Sequence, residues 1–194
     1  MMLTPVALDE LDDTLERFAA GLGAPDARVA LAAIRATSAQ RAVGSDAERD
    51  RLAALYFARR HGMTVHPAGA ACAYNWDGAA LDGAVEAYVI LHEVAHYLLA
   101  SPARRALPDF GLGPGPDTRD RDGAERTAIV TLLDREEDEA AASLLGILWE
   151  AELGQPALAS FLDQNWLEGL ERSAPAHFTT VVERLVTLGL WSGR

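Results

Sequence analysis

Val85, Val89, His92, His96 and Leu99 recur at spacings of three and four along the segment GAVEAYVILHEVAHYLLA. On an α-helix that spacing puts all five side chains on one stripe. The stripe is apolar apart from its two imidazoles, and burying an unpartnered imidazole is costly. The chain must therefore fold so that polar groups reach the middle of its own core, beside His92 and His96. One helical turn separates these histidines, so both rings can reach a single ion while Glu93, in the run HEVAH, projects beside it. In a hydrolase a glutamate at this position takes the proton of a metal-bound water, which makes Glu93 the candidate catalytic residue.

Two histidines do not complete a metal site, and the usual further ligand is a carboxylate on a later helix. The run REEDEAAASLLG offers Glu136, Glu137, Asp138 and Glu139. Small residues just beyond the ligand would let the two helices approach closely. Glu137 is followed by Ala140 and Ala141 and shares a face with Leu144 and Leu148, so it is the expected third ligand, with Glu139 second and Glu136 third. The remaining acids suit a solvated helix start, where the helix dipole favours them. His61, His66 and His177 are expected to be ordinary surface or core histidines, and Cys72 a small buried residue.

Around this centre the chain reads as mostly helical. Thr4-Pro5 is expected to open a first helix, with two more ending at Gly44 and Gly62, so that residues 1–62 form a helical scaffold. Residues 63–76, MTVHPAGAACAYNW, contain β-branched and aromatic residues broken by Pro67 and are expected to form one or two short strands. A loop over residues 101–124, punctuated by Pro102, Pro108, Pro114 and Pro116, separates the motif helix from the acidic one. Loops of that length inside a compact domain are often functional. Two further helices, PALASFLDQNWLEGL and APAHFTTVVERLVTLGLW, close the chain. The expected fold class is α+β, mostly helical, a single domain with a metal-binding core over 63–194 and a short β element.

Charge narrows the partners. The net charge is −12, with 29 acids against 17 basic residues, every one of them arginine. Nothing here neutralises a run of phosphates, so nucleic acid is not an expected partner. The absence of lysine excludes Schiff-base catalysis. A lone cysteine excludes an internal disulfide framework, the N-terminal residues are acidic, and no apolar run has membrane-spanning length. A cytoplasmic protein is expected, with no membrane association.

Past the histidines the sequence continues YLLASPARRALPDFGLGPGPDTRD. With Tyr97, Ala100, Arg104-Arg105, Asp109-Phe110-Gly111 and Pro116-Asp117, it resembles elongation factor P hydroxylase, a bacterial family that hydroxylates a modified lysine on that translation factor. Gly154-Gln155-Pro156 resembles the end of the family's glutamate helix, and counted without gaps it favours Glu139 over Glu137. The resemblance covers roughly residues 87–157. It implies a metallopeptidase-like fold and an iron(II) held by two histidines and one glutamate, with positions open for oxygen and substrate. Glu93 would then be a base or orienting group beside the metal, and Arg105 would pair with Asp109 to shape the loop above it. The implied partner is a protein or peptide substrate, a translation factor in the family it resembles. The motif alone also suits a zinc metallopeptidase completed by a glutamate, which stays open as the alternative.

Overall fold

The computed structural model describes residues 9–168 and 173–193. The helix start expected at Thr4-Pro5 lies outside those residues. Helices α1 (Leu11–Ala20), α2 (Pro25–Arg35) and α3 (Gly44–Arg60) come first, followed by an irregular segment and then α4 (Ala87–Leu99), the motif helix. Next come α5 (Pro102–Arg105), a tight turn at Pro108–Gly111, α6 (Arg121–Thr127) and the long α7 (Leu132–Glu152). Helices α8 (Ala157–Asp163) and α9 (Ala174–Thr187) follow. Local chemistry accounts for several of these starts. Pro25 supplies the fixed φ of a first helical position in α2, and the Thr131 side chain accepts the Asp134 backbone N–H at the start of α7.

Among the described residues the regular structure is all helical, with no strand, which corrects the expected α+β class, its short β element and the metallopeptidase-like fold that goes with them. Over 63–83 there are only two isolated bridges, Val65 with Leu81 and Trp76 with Leu81. The physical reason lies in the segment's composition. Only Thr64 and Val65 are β-branched before Pro67, which has no ladder donor. The small residues from Ala68 to Ala71 then give a strand nothing to pack. The segment is instead tied down by a few backbone bonds, Leu81 N–H to Thr64 O at 2.9 Å and Asp82 N–H to Asn75 O at 2.7 Å among them.

Helix α4 lies between α3 and α7, its most extensive contact being with α7. The close approach rests on small residues of α7. Ala141 and Ala142 are fully buried, and a Cβ added to Gly146 would sit 3.2 Å from the His92 backbone nitrogen. Phe18, Phe161 and Phe178, all fully buried, meet edge to face and tie α1, α8 and α9 together. One hydrophobic cluster runs from this aromatic group through the α4–α7 contact to Trp76 and Phe110. The motif helix is thus walled by packed helices on most sides, and the loops before and after it close the remaining face. Among the described residues no helix is long and apolar enough to cross a membrane.

Candidate metal centre

His92 and His96 leave α4 toward α7, and their Nε2 atoms lie 2.9 Å apart. Glu139 Oε2 stands 3.4 Å from each of them. These three are the one group of metal-ligating side chains found close enough to share an ion among the described residues. Glu137, the expected third ligand, faces away. Its carboxylate is 58% exposed and pairs with Arg184 of α9 at 3.3 Å. Glu136 is exposed as well.

The donor set fits a transition-metal ion on geometric grounds. Ligand atoms about 2.1 Å from one ion lie about 3.0 Å apart at right angles and about 3.4 Å apart in a tetrahedron. The three separations here span that range. Two imidazoles and one carboxylate on one side of an ion also leave other positions open.

Asp138, the acid between Glu137 and Glu139, has a separate task. Its Oδ1 lies 2.8 Å from His96 Nδ1, and its Oδ2 accepts Arg104 NH1 at 2.8 Å. This fixes the His96 ring with Nε2 turned to Glu139. Burial pushes Asp138 up, but the His96 and Arg104 hydrogen bonds outweigh it and hold the carboxyl below its ordinary value. Burial likewise opposes charge on His96, yet Asp138 and Glu139 raise it to about 10. Burial also opposes charge on Glu139, and the two histidines hold its carboxyl far below the usual range.

Glu93 is 7% exposed and accepts a hydrogen bond from Asn75 Nδ2 at 3.2 Å. Burial raises its carboxyl above the ordinary value, against the pull of His96, His92 and Asn75. Glu93, Asn75, His92, His96 and Glu139 share a cleft of about 260 Å³. Its far wall is the Pro108–Gly111 turn and the chain up to Thr118. Asp109 and Phe110 there have φ of 45° and 54°, the left-handed region that non-glycine residues rarely enter, at a cost of about 1 kcal/mol each. The turn is over-determined by its surroundings. Asp109 N–H donates to Trp76 O at 2.9 Å, and the Thr118 hydroxyl donates to Asp109 Oδ2 at 2.6 Å. The Phe110 ring stacks on Trp76 and lies 5.6 Å from the His96 ring.

The expected Arg105–Asp109 pair does not form. Arg105 donates to Ala100 O at 3.1 Å and lies over the Tyr97 ring, while Asp109 takes the Thr118 hydroxyl. The other histidines lie apart from the three donors: His66 pairs with Asp77 at 2.7 Å, His61 packs on Phe57 and Trp149, and His177 stacks on Trp166. Asn75 and the roles of Asp138 and Arg104 were not apparent from the sequence. The Arg104-Arg105 pair was visible, but no spacing rule links it to an acid 34 positions on.

Residues 86–132 match the profile of the EpmC family, elongation factor P hydroxylase. That segment contains His92, Glu93, His96, Arg104 and the Asp109–Gly111 turn, and it ends before the acids of α7. The correspondences seen in the sequence at Glu137 or Glu139 and at Gly154-Gln155-Pro156 lie beyond it. No curated protein and no solved structure matches the chain.

Proposed function

We propose that the protein is a metal-dependent hydroxylase of a polypeptide side chain, with His92, His96 and Glu139 as the protein ligands of one iron(II). The observation that carries this reading is the convergence of those three donors in a cleft whose first wall is the segment similar to EpmC. A bound iron(II) would supply the activation of dioxygen. Overall, one oxygen atom enters a C–H bond and the other leaves as water, with two electrons and two protons from an external reductant.

The chain's own residues bind the substrate and handle protons. The cleft is narrow, near the lower end of the usual range for ligand pockets, and suits one side chain. Glu93, Asp109 and Asp117 line it and, among the described residues, no arginine does; burial raises the Glu93 and Asp109 carboxyls, and a cationic side chain such as a modified lysine is the partner that would hold them ionised. Elongation factor P is accordingly the first substrate to test. Glu93, held by Asn75 on one oxygen, is placed to hold or pass a proton at its other oxygen. A hydrolytic zinc enzyme would use the same Glu93, so the test has an arm for it.

The experiment is metal analysis of protein purified without oxygen, reading iron, zinc and manganese per chain beside His96→Ala and Glu139→Ala. Oxygen uptake and substrate mass are then followed with elongation factor P. Near-stoichiometric iron that both variants lose, with one oxygen atom added to the substrate, is the expected result. Stoichiometric zinc with cleavage of peptides, abolished in Glu93→Gln, would replace the hydroxylase with the peptidase. Full metal retention in both variants would overturn the ligand set.

A further inference from the structure

We infer that Arg104 is a positioning residue that ties the Pro108–Gly111 turn, the roof of the metal cleft, to the ligand His96, so that metal binding and roof order are one coupled event. The inference rests on the ligand set proposed above and adds a residue that touches neither metal nor substrate. Four contacts form a closed circuit. His96 Nδ1 meets Asp138 Oδ1 at 2.8 Å, and Arg104 NH1 donates to Asp138 Oδ2 at 2.8 Å. Arg104 Nε donates to the Phe110 carbonyl at 3.0 Å, and the Phe110 ring returns to the His96 ring at 5.6 Å.

The circuit joins features that α4 alone would leave independent. Asp109 and Phe110 hold consecutive left-handed conformations, which persist only where surrounding contacts enforce them. Arg104 fixes the Phe110 carbonyl with one edge of its guanidinium and Asp138 with another, which a planar fork can do and a single ammonium cannot. Its remaining nitrogen, NH2, is buried without a partner among the described residues, so the two bonds are made at the expense of a third donor. Asp138 spends one oxygen on each neighbour. A shift of the His96 ring is therefore transmitted to Phe110 through three charge-assisted hydrogen bonds, and Asp109 moves with it into or out of the cleft.

The test combines cobalt(II) titration with amide hydrogen exchange at Phe110 and Leu112, with and without the metal. Arg104→Gln cuts the circuit outright. Asp138→Asn leaves His96 only a neutral amide oxygen and turns an amide N–H toward Arg104, so it weakens the ring contact as well as severing the roof link. Arg104→Lys can restore one of the two bonds. In the wild type, cobalt should slow exchange at both amides. In Arg104→Gln and Asp138→Asn that slowing should vanish and cobalt affinity fall about ten- to a hundredfold, while exchange in α1 and α9 stays unchanged. Arg104→Lys should fall between. Wild-type cobalt affinity and wild-type roof protection in either severed variant would overturn the coupling. If the wild type binds no more cobalt than His96→Ala, the proposed ligand set fails instead. The metal-free arm then decides about Arg104: faster roof exchange in Arg104→Gln supports the circuit, and unchanged exchange removes it.

Discussion

Helix α7 buries a carboxylate near each end, and the two have opposite fates. Asp138, 6% exposed, has a ring nitrogen at 2.8 Å and a guanidinium nitrogen at 2.8 Å, one for each oxygen, and it is held in the ionised form. Glu150, 2% exposed, has Arg41 NH1 no nearer than 3.7 Å. That guanidinium already donates to Asp163 and Ser160. Burial wins there, over the opposing pull of Ser160 and Arg41, and raises Glu150 to about 7. Nearby Gln155 adds a buried Oε1 with no partner among the described residues. Burial is similar at the two ends, so it does not make the difference. Donors aimed at the carboxylate do, and they are supplied where α4 and the roof converge.

The sharpest way to break this contrast is at the acid beside Asp138. Glu139→Ala should weaken cobalt or iron binding by more than the ten- to hundredfold typical of residues behind the ligands, to about a thousandfold. Glu150→Ala should leave metal affinity unchanged, although it empties a position more deeply buried than that of Glu139. Equal metal loss in both, read by titration on folded protein, would mean that α7 matters for its packing and not for its site. Gly146 lies between the two ends and tests the packing directly. Gly146→Val must push α7 away from the His92 backbone, so it should cost about 3 kcal/mol in urea unfolding and weaken metal binding with it. A loss of stability with wild-type metal affinity would separate the helix contact from the site.

Glu150→Gln sharpens the other half of the contrast. The folded carboxyl titrates near 7 and the unfolded one near 4.5. Between those values the folded state binds more protons, so this group's contribution to stability falls as pH rises from about 4.5 to 7 and stays lost above. The glutamine variant should therefore match the wild type near pH 4.5 and exceed it by up to about 3 kcal/mol at pH 8. Urea unfolding at the two pH values checks this. A pH-independent difference would show that Arg41 holds Glu150 ionised after all.

The motif helix was legible because its periodicity and its chemistry coincide: the stripe that must be buried is the one that carries both histidines. The small residues of α7 were legible for the same reason. The ligand proposed on it, Glu139, was less so, because the helix is buried all round from Leu144 to Glu150. Projecting Leu144 and Leu148 back to Glu137 selects a face that is solvated two turns earlier. The buried line in that half runs through Asp138, Ala141, Ala142 and Leu145. The gap-free Gly-x-Pro count at residues 154–156 had pointed to Glu139. The β element failed for a different reason, since two β-branched residues and a proline make a bridge and no ladder. The roles of Asn75 and Asp138 were invisible because their partners are 18 and 42 positions away, and only the folded backbone brings them together.

The smallest effect belongs to Glu137, which separates the two readings of the acidic run. It sits one residue from Asp138 and two from Glu139, yet on the helix these steps turn it by about 100° and 200°. Its carboxylate meets Arg184 in solvent at 3.3 Å, where an exposed ion pair contributes about 0–1 kcal/mol. Glu137→Ala should lower stability by no more than about 0.5 kcal/mol, an effect that salt screens, and should leave metal content and affinity at wild-type values. Metal analysis of this variant beside Glu139→Ala is the direct comparison. Loss of metal from Glu137→Ala, with retention in Glu139→Ala, would mean that α7 turns on its axis when the ion binds, and the circuit through Asp138 and Arg104 could not survive that rotation.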